Sequence, residues 1–393
     1  MNVLMLSWEY PPFVVGGLGA HVAHLAPELA RQGVHVHVVS PRFKDGAVEE
    51  VQNHLAVSRV DGEKHADDFI ENTMAVNDYI YGRGAAIVGT QPGPWLIHAH
   101  DWLVGPAATR LKADYGLPLI GTIHATEHGR NDGIHTDLQA RIHHEEWRLA
   151  NEADELIACS RFMAHQIRDV FQVPSSKLEV IANGVDVSRL TDASFDRESF
   201  RREYAGEHEK IVLHVGRLVA EKGIYVVLEA IPKLLEVVPR AKFIVVGSGP
   251  SLDDARERAS QTGWSDRLLF TGFVSDEIRN RLYQVADVAI FPSLYEPFGI
   301  VALEAMALGV PVVSSNAGGL AEVVDREETG VVVDAGSANS LAWGIAHVLE
   351  QPALSLCRAE RARTKANTEF TWDVIADRTK AKYERLLART LIG

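Results

Sequence analysis

A strand, a glycine turn, a helix and a second strand open this chain, and the same succession begins afresh at Ile211. At the start, NVLMLSW (Asn2–Trp8) reads as an apolar strand and VVGGLG as a glycine loop. AHVAHLAPELARQG follows as a helix stopped at Gly33, and VHVHVVS as the next strand. From Ile211, IVLHVGRL, VAEKG, YVVLEAIPKLLEVVP and AKFIVVGSG repeat that order. Strands that alternate with helices predict a parallel α/β sheet, and two fresh starts predict two such sheets. A length of 393 residues is too great for one ordinary core, which favours the same division.

Further apolar runs extend each half. WLIHAHD, LPLIGTIHA, DELIACS and KLEVIANGVD belong to the first, and RLLFTGF, DVAIFPS, VPVVSSN and TGVVVDAG to the second. The polar segment 186–209 has no apolar period and reads as the junction. We therefore expect an N-terminal domain over 1–188 and a C-terminal domain over 189–372. The amphipathic helix over 373–393 either packs on the second domain or straps back across the first.

Composition narrows the partners. A net charge of -14 disfavours nucleic acid and anionic membranes, so an anionic ligand must be held by a few placed cations. Two cysteines supply neither a disulfide framework nor a zinc pattern. The chain shows no signal-peptide pattern and no apolar run of membrane-spanning length, which leads us to expect a cytoplasmic protein.

Chemistry concentrates in YEPFGIVALEAMALGVP (Tyr295–Pro311). Its helix is apolar on nearly every side, yet it carries Glu304, with Glu296 just ahead of it. Pro297 disfavours helix at Glu296 and leaves that residue in the entry loop. The amides around Phe298, Gly299 and Ile300 then form a helix N-terminus suited to an anion, and Gly299 lets a phosphate approach. Glu304 lies about 7–8 Å further along the axis, near the separation of a nucleotide's diphosphate and its ribose diol. The pair alone leaves two readings open: ligand groups, or Glu304 paired with a buried arginine and Glu296 in solvent. Arg217 and Lys222 in GRLVAEKG, at a strand end of the same half, shift the balance, because fork and point charge together suit a diphosphate. The strand-end turn GSGP (Gly247–Pro250) places Gly249 where it faces the same ligand.

GRLVAEKG, SLYEPFGIVALEAMALGVPVVSS and AGGLAEVV together resemble the retaining GT-B glycosyltransferases, the broad GT4-type family that includes many glycogen synthases and sucrose synthases. SWEYPPFVVGGLGAHV, HAHDW and TIHATEHGR look like its glycogen-synthase-like branch, so the resemblance spans the chain. It implies a GT-B fold: two Rossmann-like, doubly wound parallel-sheet domains facing across a cleft, with the C-terminal helix back on the first. It also implies a nucleotide-sugar donor that is UDP-, ADP- or GDP-linked, no cofactor, and a carbohydrate acceptor, with glucose passing to an α-glucan. Arg217 and Lys222 would hold the diphosphate, Glu296 the sugar hydroxyls, and Glu304 the ribose. Amides near Phe298, Gly299 and Ile300, with Gly16 and Gly17, would face the phosphates. One departure stands out. Val14 and Val15 occupy the place where ADP-glucose-using bacterial enzymes carry a lysine in K-T-G-G, which leaves the nucleobase open.

In the first half, His124 follows the strand LIGTI, and the resemblance puts it beside the transferred sugar; His124, Arg217, Lys222 and Glu296 are the catalytic candidates. Asp101 and Trp102 of HAHDW read as acceptor groups, with Trp102 stacking on a sugar, and Glu9, Tyr10, Glu127 and Arg130 as weaker candidates for the same surface. No Asp-x-Asp signature for a diphosphate-bound metal is present, so metal-independent transfer is expected. Other readings stay open: a small-molecule, lipid or other polysaccharide acceptor, a metal-dependent hydrolase built on His98 and His100, or a silent nucleotide-sugar-binding protein.

Overall fold

The computed structural model describes residues 1–191 and 195–392. Asp192, Ala193 and Ser194 of the expected junction, and Gly393 of the expected last helix, lie outside the described residues. The chain divides into two units, Met1–Gly184 with the last helix from Trp372, and Val185–Thr371.

The N-terminal unit carries eight strands among its described residues: β1 (Asn2–Ser7), β2 (His35–Arg42), β3 (Glu49–Gln52), β4 (Leu55–Asp61), β5 (Trp95–His100), β6 (Leu119–Ile123), β7 (Glu155–Ala158) and β8 (Leu178–Val180). Their order is β3-β4-β2-β1-β5-β6-β7-β8. Every pairing is parallel except β3 with β4. β1 is buried from Val3 to Ser7, as a strand covered on both faces must be, which explains its unbroken apolar run. The hairpin of β3 and β4 escapes the sequence pattern because β3 is EEVQ, exposed along its whole length at the sheet edge. What holds β4 is a buried cation. Arg59 donates to the carbonyls of Pro11 and Ala47 and pairs with Glu50, so this strand also anchors the loop that follows β1.

The C-terminal unit is a six-stranded, wholly parallel sheet: β9 (Lys210–Val215), β10 (Ala241–Val246), β11 (Leu268–Gly272), β12 (Val288–Phe291), β13 (Val312–Ser315) and β14 (Val331–Val333). The order β11-β10-β9-β12-β13-β14 runs outward in both directions from the β9/β12 pair. The N-terminal sheet reverses in the same way between β1 and β5. Loops leaving adjacent strands at such a reversal turn to opposite faces and open a crevice at the carboxyl ends, where ligands bind in sheets of this kind.

The last helix, Trp372–Ile392, packs against the first helix, Gly17–Arg31. Its Trp372, Ile375, Ala376, Tyr383, Leu386 and Leu387 share one core with Val3, Met5, Val22 and Leu25. Lys382 on that helix is buried against Glu155 at 2.8 Å, and the Tyr383 hydroxyl lies 2.6 Å from His98 Nδ1. A helix tied in by both core and polar contacts is part of the N-terminal unit's fold rather than an appendage.

Candidate active site

In the C-terminal unit the candidate residues gather where the strand order reverses. Arg217 follows β9, half exposed, with Nη2 3.4 Å from Glu221 Oε1. Lys222 ends a short 3-10 turn, Ala220–Lys222, that Gly223 stops in the left-handed region. Its Nζ lies 2.7 Å from Glu296 Oε2, which also accepts the Ser293 hydroxyl at 3.2 Å. The pairing answers how Glu296 is tolerated at 8 % exposure, since a buried carboxylate needs a countercharge. The alternative of a solvated Glu296 therefore gives way to a buried ion pair in the loop after β12.

Backbone contacts bind these loops into one rigid floor. The amides of Leu294 and Tyr295 donate to the Glu221 carbonyl, and the Gly319 amide donates to the Glu296 carbonyl. At Gly249 a Cβ would stand 2.3 Å from the Leu218 carbonyl oxygen, so only glycine lets the β10 loop close against the β9 loop. Gly299 has φ +106° and a Cβ there would meet Leu320 at 2.6 Å. It starts the helix Ile300–Ala307, in which the Ala302 and Leu303 amides donate to the Gly299 carbonyl and the two before them, Ile300 and Val301, have no intrahelical acceptor. Phe298 is buried just ahead of it, so backbone rather than ring is what this corner presents.

At Glu304 the arginine partner left open by the sequence is present: Arg279 Nη2 stands 3.8 Å from its Oε1. Burial still raises the Glu304 pKa, with Arg279 pulling the other way. Its Oε2 and Arg279 Nε both remain buried without a partner. The carboxylate is thus neutralised on one side and keeps an oxygen with unused hydrogen-bonding capacity. A cavity of about 330 Å³, with Arg197, Lys210, Asp287 and Pro311 in its lining, lies at the amino-terminal ends of β9, β12 and β13.

In the N-terminal unit the loops after β1, β5 and β6 hold the remaining candidates. Glu9 does not stand free for an acceptor: its Oε2 accepts the amides of Val15 and Gly16 at 2.7 and 3.0 Å. It folds the loop whose Gly16 and Gly17 open the first helix. Tyr10 is buried in the core with Val3 and Val22, so it is corrected to a packing residue. Trp102 is corrected likewise. It is 7 % exposed, packs with Ile70 and Ile142, and meets Phe69 edge-on, which leaves no face for a sugar.

Asp101 sits at φ +61°, unusual for a residue with a Cβ, and its Oδ1 accepts the His124 amide at 2.7 Å. Burial pushes its pKa up to about 6, against the lowering effect of that amide and of Arg130. His124 is held neutral, its pKa lowered to about 3 by burial and by the Arg130 charge. Glu127 begins the short helix Glu127–Arg130, and its amide donates to both oxygens of Glu146 at 2.8 and 3.1 Å. Arg130 is exposed, and its charge acts on Asp101, His124 and Glu146 together.

Glu146 was not foreseen. It lies mid-helix in Asp137–Glu152, a helix started by a capping box between Thr136 and Gln139. Nothing in HHEEWRLANE distinguishes it from its exposed neighbours, because its partner amide is 19 residues away. Burial raises its pKa to about 8. A carboxyl whose folded pKa is raised contributes stability that is complete below about 4.5 and is lost as pH rises through about 8. Glu146→Gln keeps an oxygen for the Glu127 amide and removes the titration. We expect it to match the parent near pH 5 and to exceed it by about 2 kcal/mol or more above pH 8. Denaturant midpoints at the two pH values measure this, and parallel curves would contradict it.

His98 cannot be half of a metal pair with His100. Its Nδ1 is engaged by Tyr383 and its Nε2 by Thr122 at 2.7 Å. The hydrolase reading built on that pair loses its first ligand. His98 and His100 instead pack as a tilted ring pair with centroids 4.1 Å apart, and His100 Nδ1 lies 3.2 Å from His124 Nε2.

With the geometry in place, relationships to known proteins fall into line. Residues 15–189 match the family described as Glycosyltransferase Family 4, and residues 196–369 that described as Glycosyl transferases group 1. An uncharacterized glycosyltransferase of Methanocaldococcus jannaschii is 35% identical, with 100% of both chains covered. The glycogen synthase of Mycobacterium tuberculosis is 36% identical, over 98% of this chain and 94% of that one. Among solved structures, a sucrose-phosphate synthase from Thermosynechococcus elongatus superposes with a TM-score of 0.83 at 25% identity, 99% of each chain being covered. This chain belongs to the GT4-type, GT-B glycosyltransferases of the glycogen-synthase-like family, enzymes that take a glycosyl group from a nucleotide sugar.

Proposed function

We propose that the enzyme moves glucose from a nucleoside-diphosphate glucose to a hydroxyl of an α-glucan, with retention of anomeric configuration. The observation that carries this reading is the identity to a glycogen synthase, which runs through both units. The donor set of the C-terminal unit supports the donor half. Charge grows on the diphosphate as the glycosidic bond breaks. In this reading Arg217, Lys222 and the amides of Ile300 and Val301 receive it. That positive charge is supplied by the protein, so we propose that no divalent ion is needed for transfer.

Glu296 then has two tasks. One oxygen holds Lys222 in place, and Oε1 accepts a sugar hydroxyl. The free Oε2 of Glu304 accepts from the ribose diol while Arg279 prevents a net buried charge. In the N-terminal unit neutral His124, aimed by Asp101, hydrogen-bonds a hydroxyl of the transferred sugar. A diphosphate leaves readily, and its departing oxygen takes the acceptor proton on the same face, which gives retention. Cys159 and Cys357 are not joined in a disulfide, in keeping with the reducing cytoplasm in which we place the reaction.

The test is a turnover screen of the purified protein with UDP-, ADP- and GDP-glucose, with and without glycogen. Nucleoside diphosphate release and labelled glucose in precipitated polymer are read together. We expect glycogen-dependent release with one nucleotide and label in the polymer. Release that needs a small-molecule acceptor instead, with no label in polymer, would refute the glucan assignment.

A further inference from the structure

Three imidazoles from three separate elements converge in the N-terminal unit. His21 comes from the helix Gly17–Arg31, His100 ends β5, and His124 follows β6. Each offers one ring nitrogen, and the three nitrogens lie within 4.8 Å of one another. The 3.2 Å between His100 Nδ1 and His124 Nε2 is close to the roughly 3.3 Å that separates two ligands on a tetrahedral ion with bonds of about 2.0–2.1 Å.

His21 is prepared in the manner of a ligating histidine. Its Nδ1 lies 2.7 Å from Asn183 Oδ1, an oxygen that only accepts, so the proton sits on Nδ1 and Nε2 keeps its lone pair. Metal-binding histidines characteristically donate their other ring N–H to a carbonyl or carboxylate oxygen. Nε2 of His21 is buried without a partner, and an idle buried polar atom asks for an occupant. Nε2 of His100 is also without a partner and can carry the ring proton when Nδ1 ligates. His98, fixed by Tyr383 and Thr122, packs against the His100 ring at 4.1 Å between centroids and limits its movement. Asp101, bonded to the His124 amide, adds a negative charge to the neighbourhood.

We propose that His21, His100 and His124 form a site for one borderline-soft divalent ion of the Zn2+ or Co2+ class, and that its occupation inhibits transfer. The ion takes three lone pairs and keeps a fourth position for water. The proton shared by His100 and His124 moves to the other nitrogen of the ring that donated it, so binding releases no net proton. Inhibition follows because ligation through Nε2 fixes a proton on His124 Nδ1, so that the nitrogen left to the sugar can no longer accept from a hydroxyl; this half rests on the function proposed above, whereas metal binding does not.

Co2+ serves as the probe, because a low-coordinate site turns its faint aqueous colour into strong visible bands. The chelator-treated protein is titrated with Co2+, and tryptophan emission, to which Trp372 at 5.3 Å from His21 contributes, is followed in parallel. One equivalent is expected to develop the bands and quench the emission. His21→Ala and the space-keeping His21→Asn should lose both, while His24→Ala, which removes a ring stacked on Trp372 outside the three-histidine cluster, keeps the bands. Melting by circular dichroism verifies that each variant is folded. Zn2+ should lower turnover at least about tenfold, with chelator restoring it. Aqueous-type Co2+ spectra, or bands that survive in both folded His21 variants, would overturn the site. Bands that depend on His21 together with unchanged turnover in Zn2+ would keep the site and overturn the inhibition, and with it the sugar contact of His124. A protein with no transferase activity defeats the proposed function alone, since the Co2+ titration still decides the site.

Discussion

Lys222→Ala is expected to lower turnover by about 10²–10³-fold, the usual loss when one placed donor to a developing anion is removed. The structure adds a second consequence. Lys222 is the countercharge of Glu296, whose side chain is only 10% exposed. Removing one partner of a buried pair strands the other, a loss of about 3 kcal/mol or more. The single variant is therefore both slow and destabilised, and a low activity by itself would prove little. The double variant Lys222→Met, Glu296→Gln separates the effects, because it removes both charges while keeping bulk. We expect it to recover most of the stability and none of the turnover. Denaturant unfolding and turnover at saturating donor measure the two quantities. Near-parental turnover in the folded double variant would remove Lys222 and Glu296 from the mechanism.

Truncation after Thr371 is expected to have the larger effect on folding. It takes Trp372, Ile375, Ala376, Tyr383, Leu386 and Leu387 out of a core that otherwise belongs to the first helix and the central strands. At about 1.5–3 kcal/mol for each large apolar side chain, the loss is about 10 kcal/mol, comparable to the whole stability of a domain. Glu155 would lose Lys382, and His98 would lose Tyr383, so buried polar groups are stranded as well. The truncated chain should be insoluble or lack a cooperative transition for the N-terminal unit. A soluble product with the parental melting profile would show that the helix is dispensable.

These outcomes depend on contacts of very different sequence range, which also explains what could be read in advance. The two parallel sheets were legible because each buried strand is an unbroken apolar run and each helix has a clear stop. The donor loops were legible because chemistry and punctuation coincide there: Pro297 and Gly299 set the helix start, and Gly223 closes the turn at Lys222. Hairpin β3–β4 was not, since EEVQ carries no pattern and its partner strand is held through Arg59. Trp102 misled for the opposite reason: an aromatic after a strand end looks like a sugar platform until its burial against Ile70 and Ile142 is known.

The sequence by itself determined the elements, their alternation, and the residue types that can meet a nucleotide sugar, because those follow from periodicity and local backbone preference. Only the tertiary structure decided which charges neutralise one another. Lys222 meets Glu296 across 74 residues, and Arg279 reaches Glu304 from another helix. His21, His100 and His124 come together from three elements. A buried charge or lone pair is made tolerable by whatever stands within a few ångströms, and that neighbour is set by how sheets order and helices pack, which no local pattern encodes.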